Sequence, residues 1–284
     1  MNILDGGLEN IPHYIKVQDK EIHVRKLYLN SKNMNDLYFC GDIHGKYREF
    51  IWTICVKKNI HDAIIIVLGD FGVGFTKDMD VEYRKSEPKL EKNNLTIYSI
   101  RGNHDDPKYF DSTHDYPRLK FMQDHQIYEL AGRKIYTIGG ANSTDANINP
   151  ECTSVPDRKL ETEARLRKGK LPTWWENEYV EKKYTDLPTK VDIIISHTAP
   201  LRFEPIPIRT SEVSISQYEK ILDERKYLDY ILSEVKADYW FYGHFHKSYT
   251  GTYNQLLYRC LEELELFPAL DKKELNPQGE LKDE

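Results

Sequence analysis

Short runs of consecutive apolar residues recur along the chain, and several end in a polar cluster that carries glycine. Leu37–Cys40 leads into GDIHG, Ala63–Leu68 into GDFGVG and Leu95–Ile100 into RGNHD. Later, Val191–Ile195 leads into SHTAP and Tyr239–Tyr242 into GHFH. Runs this short, bounded by turn residues, predict strands buried on both faces. Helical spacing lies between some of them: Tyr47, Phe50, Ile51, Ile54 and Cys55 after the first cluster, and Tyr218, Ile221, Leu222, Leu228, Ile231, Leu232 and Val235 before the last. The later helix has Ser216 followed three residues on by Glu219, which predicts a capping box at its start. Strands alternating with helices predict an α/β architecture.

Three regions depart from this rhythm. Residues 8–30 alternate weakly at Ile22, Val24, Leu27 and Leu29, as an edge strand or a hairpin would. Residues 142–190 are long, polar and punctuated by Pro150, Pro156, Pro172 and Pro188, with an adjacent Trp174–Trp175 pair. A segment of that length inside an enzyme is expected as a lid-like insertion over the site. Residues 271–284 are almost without apolar side chains and are expected as a flexible tail. No repeat and no clean boundary is visible, so residues 1–270 are expected to form one domain.

Composition narrows the function classes. With 284 residues and 33.5 kDa, the chain is long enough to bury a full core without disulfides. Forty Lys and Arg against 46 Asp and Glu leave a net charge of −6, which counts against long nucleic acid or an anionic membrane as partner. No apolar run approaches the ~20 residues that cross a bilayer. The opening MNILDGGLENIPHYIKVQDK has no apolar stretch of the kind a secretory signal needs. Cys40, Cys55, Cys152 and Cys260 are scattered, and the first two fall in apolar segments, where they read as buried small hydrophobes. A disulfide framework is therefore not expected, and a reducing, cytoplasmic compartment is.

The polar clusters carry the chemistry. Of ten histidines, five (His44, His104, His197, His244 and His246) lie just beyond the expected strands, with Asp42, Asp70 and Asn103 in equivalent places. In open α/β folds the carboxyl ends of the strands converge on one crevice, so these side chains are expected to meet. Carboxylates packed together need a cation between them. Oxygen and imidazole donors without thiolate suit Mn²⁺, Fe or Zn²⁺ rather than a structural zinc.

The order Asp42-x-His44, Gly69-Asp70, Gly102-Asn103-His104-Asp105, His197 and Gly243-His244-x-His246 resembles the calcineurin-like metallophosphoesterase superfamily, over residues 41–246. The resemblance implies a four-layer αββα sandwich with the site at the strand ends. It implies Asp42, His44, Asp70 and His246 as ligands of one divalent ion. Asp70, Asn103, His197 and His244 would bind the second, so that Asp70 bridges. Mn²⁺ is the expected metal, with Fe, Zn²⁺ or Ni²⁺ as alternatives. The implied reaction is in-line attack of a metal-activated hydroxide on a phosphate ester. His104 would contact substrate and protonate the leaving oxygen, and Asn103 and Arg101 would face the phosphate.

Two positions depart from the protein-phosphatase branch, where Asp and Arg stand three and four residues after the bridging Asp; here they are Val73 and Gly74. That removes a phosphate clamp and the usual orienter of the catalytic histidine, a task left to Asp105 or Asp106. The stretches GGANSTD and PTWWENE are similar to a central block of bacterial and phage members. The expected activity is a phosphatase acting on a phosphorylated small molecule, nucleotide or phosphoprotein. A phosphodiesterase is the alternative, and a non-catalytic binding module with the same fold comes third.

Overall fold

The computed structural model of the protein describes residues 13–17, 20–24, 36–74, 79–143, 175–203 and 215–269. Strands β1 (His13–Val17) and β2 (Lys20–Val24) pair antiparallel as a separate two-stranded sheet. That realises the hairpin of the two alternatives expected for residues 8–30. A five-stranded sheet follows. In it β3 (Asp36–Cys40), β4 (Ala63–Val67), β5 (Thr96–Ser99) and β6 (Leu119–Phe121) run parallel, and β13 (Leu266–Pro268) lies antiparallel beside β3. The six-stranded sheet has a parallel centre of β8 (Arg133–Ile138), β9 (Ile193–Ser196), β10 (Tyr239–Tyr242) and β12 (Leu256–Cys260). Its antiparallel edges are β7 (Ile127–Leu130) and β11 (Tyr249–Tyr253).

The continuous apolar runs form central strands because each of their two faces meets a different layer. In β4, Ala63, Ile65 and Val67 point into a cluster shared with Phe50 and Ile51 of helix α1 (Tyr47–Trp52) and Tyr83 and Leu90 of α2 (Met79–Lys92). Ile64 and Ile66 point the other way, into the space between the sheets. In β10, Tyr239 and Phe241 enter that same middle layer, where Phe241 stacks on Phe39 of β3 at 4.2 Å between ring centroids. Trp240 and Tyr242 face outward onto Tyr227, Leu228 and Ile231 of α3 (Ile215–Glu234). A strand's side chains alternate with period two, so one apolar run feeds two cores. Each buried Ile or Phe contributes about 1.5–3 kcal/mol of transfer free energy. The result is the four-layer αββα sandwich that the resemblance implied.

The helical spacing after GDIHG is split: α1 gives way to a π-helical stretch, Thr53–Lys57, which keeps Ile54 and Cys55 buried. The capping box is not found at Ser216, because α3 already includes Ile215 and Ser216 therefore lies inside its first turn. Cys40, Cys55 and Cys260 are buried free thiols, as expected of the first two. Among the described residues, no helix is long and apolar enough to cross a membrane. Leu27, Leu29, Cys152, Trp174, most of the 142–190 insertion and the 271–284 tail lie outside the described residues.

Candidate metal centre

Parallel strands end on one edge, and here both sheets deliver their carboxyl ends to the same place. Asp42 and His44 follow β3, Asp70 follows β4, Asn103 and His104 follow β5, His197 follows β9, and His244 and His246 follow β10. The turns that re-aim these side chains leave His44, Asp70, His244 and His246 with φ of 44°, 48°, 67° and 49°. Left-handed backbone is uncommon outside glycine, and it concentrates where surrounding contacts over-determine it. Asp70 supplies such contacts, its carbonyl accepting from His44 N at 2.8 Å and from Ile43 N at 3.2 Å. Two motif glycines are required for room: a Cβ on Gly102 would lie 2.1 Å from Asp70 Oδ1, and one on Gly243 would lie 2.2 Å from Asp42 Oδ1. Any larger residue there would displace a carboxylate.

The site has two halves. In the outer one, His44 Nε2 and His246 Nε2 face each other at 2.9 Å, with Asp42 Oδ2 at 3.8 Å from the first and 3.1 Å from the second. In the inner one, His197 Nε2 lies 3.3 Å from Asp70 Oδ1 and 2.9 Å from Asn103 Oδ1. His197 Nδ1 is fixed by the Leu68 carbonyl at 2.7 Å, and the His244 ring stands edge-on to His197 at 5.0 Å. Asp70 faces both halves, since its Oδ2 is also 3.8 Å from His44 Nε2. Asp42 ties the halves together from the other side by accepting from His244 N at 3.1 Å.

Electrostatics show what this arrangement lacks. Burial pushes Asp70 up, yet the surrounding histidines, His197 foremost, hold it well below the usual carboxylate range. Burial opposes charge on His197, but Asp70 outweighs it and lifts the imidazole to about 10. His244 falls to about 3, through burial and then through the positive His197 beside it. Burial lowers His44, whereas a hydrogen bond to Asp42 raises His246. The carboxylates thus favour positive charge within the cluster, most strongly at His197. A divalent cation satisfies the same demand with every imidazole neutral, and so releases protons on binding.

The donor set fits divalent ions. Asp42, His44 and His246 can each offer one atom within 4.8 Å of the others, and so can Asp42, Asp70 and His197. Two ring nitrogens meeting at 2.9 Å cannot both be hydrogen-bond acceptors for each other, whereas both can point at a common cation. The donors are oxygen and imidazole throughout, which suits Mn²⁺, Fe and Zn²⁺.

Other expected residues are placed differently. His104 lies at the seam, half-buried, with its ring edge-on to His44 at 5.4 Å and its N–H donated to Asp70 Oδ1 at 2.8 Å. Asp105 accepts from the N–H groups of Phe71, Gly72, Val73 and Gly102, at 3.2, 2.7, 3.1 and 2.8 Å. It clamps the loop after β4 to the loop after β5. Asp106 pairs with Lys108 at 2.7 Å.

Arg101, expected at the phosphate, turns its guanidinium onto partners within the protein. It pairs with Asp124 at 2.7 Å and donates to the carbonyls of Asn177, Glu178 and Tyr179 at 2.9, 3.0 and 3.1 Å. Residues 177–179, in the described end of the 142–190 segment, are thereby tied to the loop after β5. Asn103, also expected at the phosphate, turns its Nδ2 to Ser143 Oγ at 3.2 Å and its oxygen to His197. Sequence reasoning missed Ser143, the Leu68 carbonyl and Glu263. The Glu263 carboxylate lies 3.6 Å from His246 Nδ1 and pairs with Lys46 at the outer rim. Long-range backbone and side-chain partners of this kind leave no local motif.

The family model for calcineurin-like phosphoesterases matches residues 36–248. Curated proteins gave no significant match. Among solved structures, the chain is similar to the phosphopantetheinyl hydrolase PptH from Mycobacterium tuberculosis, with 14% identity, 86% of this chain and 99% of that one covered, and a TM-score of 0.42. It is also similar to GAP50, the anchor in the inner membrane complex of Plasmodium, with 13% identity, 80% and 71% covered, and a TM-score of 0.34. With the family model spanning every strand-end cluster from Asp42 to His246, the chain belongs to the calcineurin-like phosphoesterase family.

Proposed function

We propose that the protein is a dinuclear metal-dependent phosphatase that hydrolyses phosphate monoesters. The observation that carries this reading is the convergence of Asp42, His44, Asp70, Asn103, His197, His244 and His246 at one edge of two sheets, with Asp70 facing both halves. Two divalent ions held there, Mn²⁺ by preference, would lower the pKa of a water and neutralise phosphoryl oxygens. A monoester is the favoured substrate because its dianion gains more from two cations than a singly charged diester does.

The chain's own groups supply the rest. Asp70 and Asp42 fix the spacing of the two halves, each bonded to a backbone N–H of the opposing loop. Asn103 contributes a neutral oxygen, which keeps the summed ligand charge below that of the cations. His104 is the group that gives a proton to the leaving oxygen, standing beside His44 at the seam. The substrate is a phosphorylated small molecule, a nucleotide or a phosphoprotein, since a net charge of −6 disfavours long nucleic acid. Three buried free thiols suit a reducing cytoplasm.

A turnover panel on Mn²⁺-loaded protein tests the reading. p-Nitrophenyl phosphate should be cleaved faster than bis-p-nitrophenyl phosphate, with a chelator abolishing both rates. Faster cleavage of the diester would make the protein a phosphodiesterase. No turnover of either compound or of nucleotides would leave the binding module.

A further inference from the structure

Helix α3 carries no expected ligand, yet three of its polar side chains are buried: Gln217, Glu224 and Arg225, each 2% exposed. Charged residues are seldom buried so deeply unless they are engaged. All three engage the loops that bear the inner half of the metal centre. Gln217 Nε2 donates to the Ser143 carbonyl at 2.7 Å. Glu224 accepts from Asn142 N at 3.1 Å, Asn142 Nδ2 at 2.8 Å and Val180 N at 3.1 Å. These contacts hold Asn142 and Ser143 in the segment after β8, and Ser143 Oγ in turn takes the hydrogen bond from Asn103.

Arg225 acts on the other two loops. Its Nε and Nη2 donate to the carbonyls of Ala199 and Pro200, both at 3.0 Å, two and three residues beyond His197. Its backbone carbonyl accepts from Leu201 N at 3.3 Å. The guanidinium carbon lies 5.5 Å from the ring centre of Phe245, the residue between His244 and His246. One side chain therefore touches the His197 loop and the GHFH loop at once. A lysine could fill neither the two-pronged geometry nor the flat contact with the ring.

The geometry points to Glu224 and Arg225 as positioning residues for the inner metal: Glu224 acts through Asn142 and Ser143 on Asn103, and Arg225 acts through the 199–200 carbonyls and Phe245 on His197 and His244. The inference rests on the dinuclear reading given above. Removing such supporting partners typically costs 10–100-fold in metal affinity.

Calorimetric titration of Mn²⁺ into chelator-stripped protein tests it without reference to turnover. His246→Ala is used as the background, because it removes an outer-half donor and leaves the inner ion to be read alone. In that background Arg225→Met should weaken the remaining ion by about 10–100-fold, Arg225→Lys by less, and Glu224→Gln by an intermediate factor. Leu228→Ala, a fully buried apolar truncation on the same helix, should lower the melting temperature and leave Mn²⁺ affinity within about twofold. If Arg225→Met does not fold, Phe245→Leu removes the contact from the other side and should weaken the ion in the same direction. Unchanged affinity in Arg225→Met or Phe245→Leu, or an equal loss in Leu228→Ala, overturns the inference while the dinuclear reading stands. Wild-type protein that takes up no Mn²⁺ overturns both.

Discussion

The outer and inner halves of the metal centre are built from similar donors and differ in how they are supported. The side chains of His44 and His246 are 23% and 45% exposed, and their nearest extra partner is a rim carboxylate, Glu263, itself paired with Lys46. Asp70 and His197 are 2% and 0% exposed, and three of the inner donors have hydrogen-bond partners beyond the donor set: the Leu68 carbonyl for His197, Ser143 for Asn103 and the His104 N–H for Asp70. A preorganised, dry half does not pay ordering entropy when an ion arrives, and its charges interact in lower dielectric. On the dinuclear reading proposed above, the inner half is expected to be the tighter site and the outer half the one open to solvent.

Asp70 faces both halves, its Oδ1 toward His197 and its Oδ2 toward His44, so its neutralisation should give the largest effect. Asp70→Asn is expected to lose both ions and to reduce kcat/KM at least about a thousandfold, some 4 kcal/mol of barrier, with the melting transition retained. A loss smaller than about tenfold would break the idea that one residue joins the halves. His104 stands at their seam and belongs to neither set. His104→Asn should keep both ions. It should slow esters of alkoxide-like leaving groups by about 10²–10⁴-fold and p-nitrophenyl phosphate only modestly. A ratio that stays flat as leaving-group pKa rises would remove the proton-donor role.

What the sequence disclosed follows the same division. The candidate ligand residues could be picked out because each lies just beyond a buried strand, so a local pattern (an apolar run, then a polar cluster) marks it. The sandwich was legible only through resemblance; periodicity alone reached α/β, since a run such as Ala63–Val67 cannot say how many layers it feeds. The support around the ligands was not legible. Asp105 is paired with the N–H groups of residues 71–73, more than thirty positions away, and nothing beside it in the chain announces that. Arg101 sits next to the GNHD motif and was expected at the phosphate, but Asp124 and the 177–179 carbonyls claim it. Glu224 and Arg225 lie in a charged helix whose polar residues look like a solvated face until the loops packed on them are seen.

Asp105 offers a smaller perturbation, confined to the inner half. An amide cannot accept from all four N–H groups as the carboxylate does, so Asp105→Asn should cost about 1–3 kcal/mol of stability. Read by chemical denaturation, it should weaken Mn²⁺ binding in the inner half more than in the outer. Unchanged stability would show that the two loops are held by something else. The smallest effect is expected outside both halves. Trp175, half-buried over Gly74 next to Asp106, should govern substrate choice. Trp175→Ala is expected to shift relative rates among phosphomonoesters by a few-fold with metal content unchanged. An equal loss on every ester would mean that the indole only packs.

The central claim is that this cluster holds two divalent ions, unequally. Titration of Mn²⁺ into chelator-stripped wild-type protein, followed by calorimetry with proton release measured in buffers of different ionisation heat, tests it most directly. Two ions per chain should bind in separate steps, the tighter one first, with release of protons as the imidazole donors become ligands. Fewer than one ion per chain, or two indistinguishable steps without proton release, would contradict it.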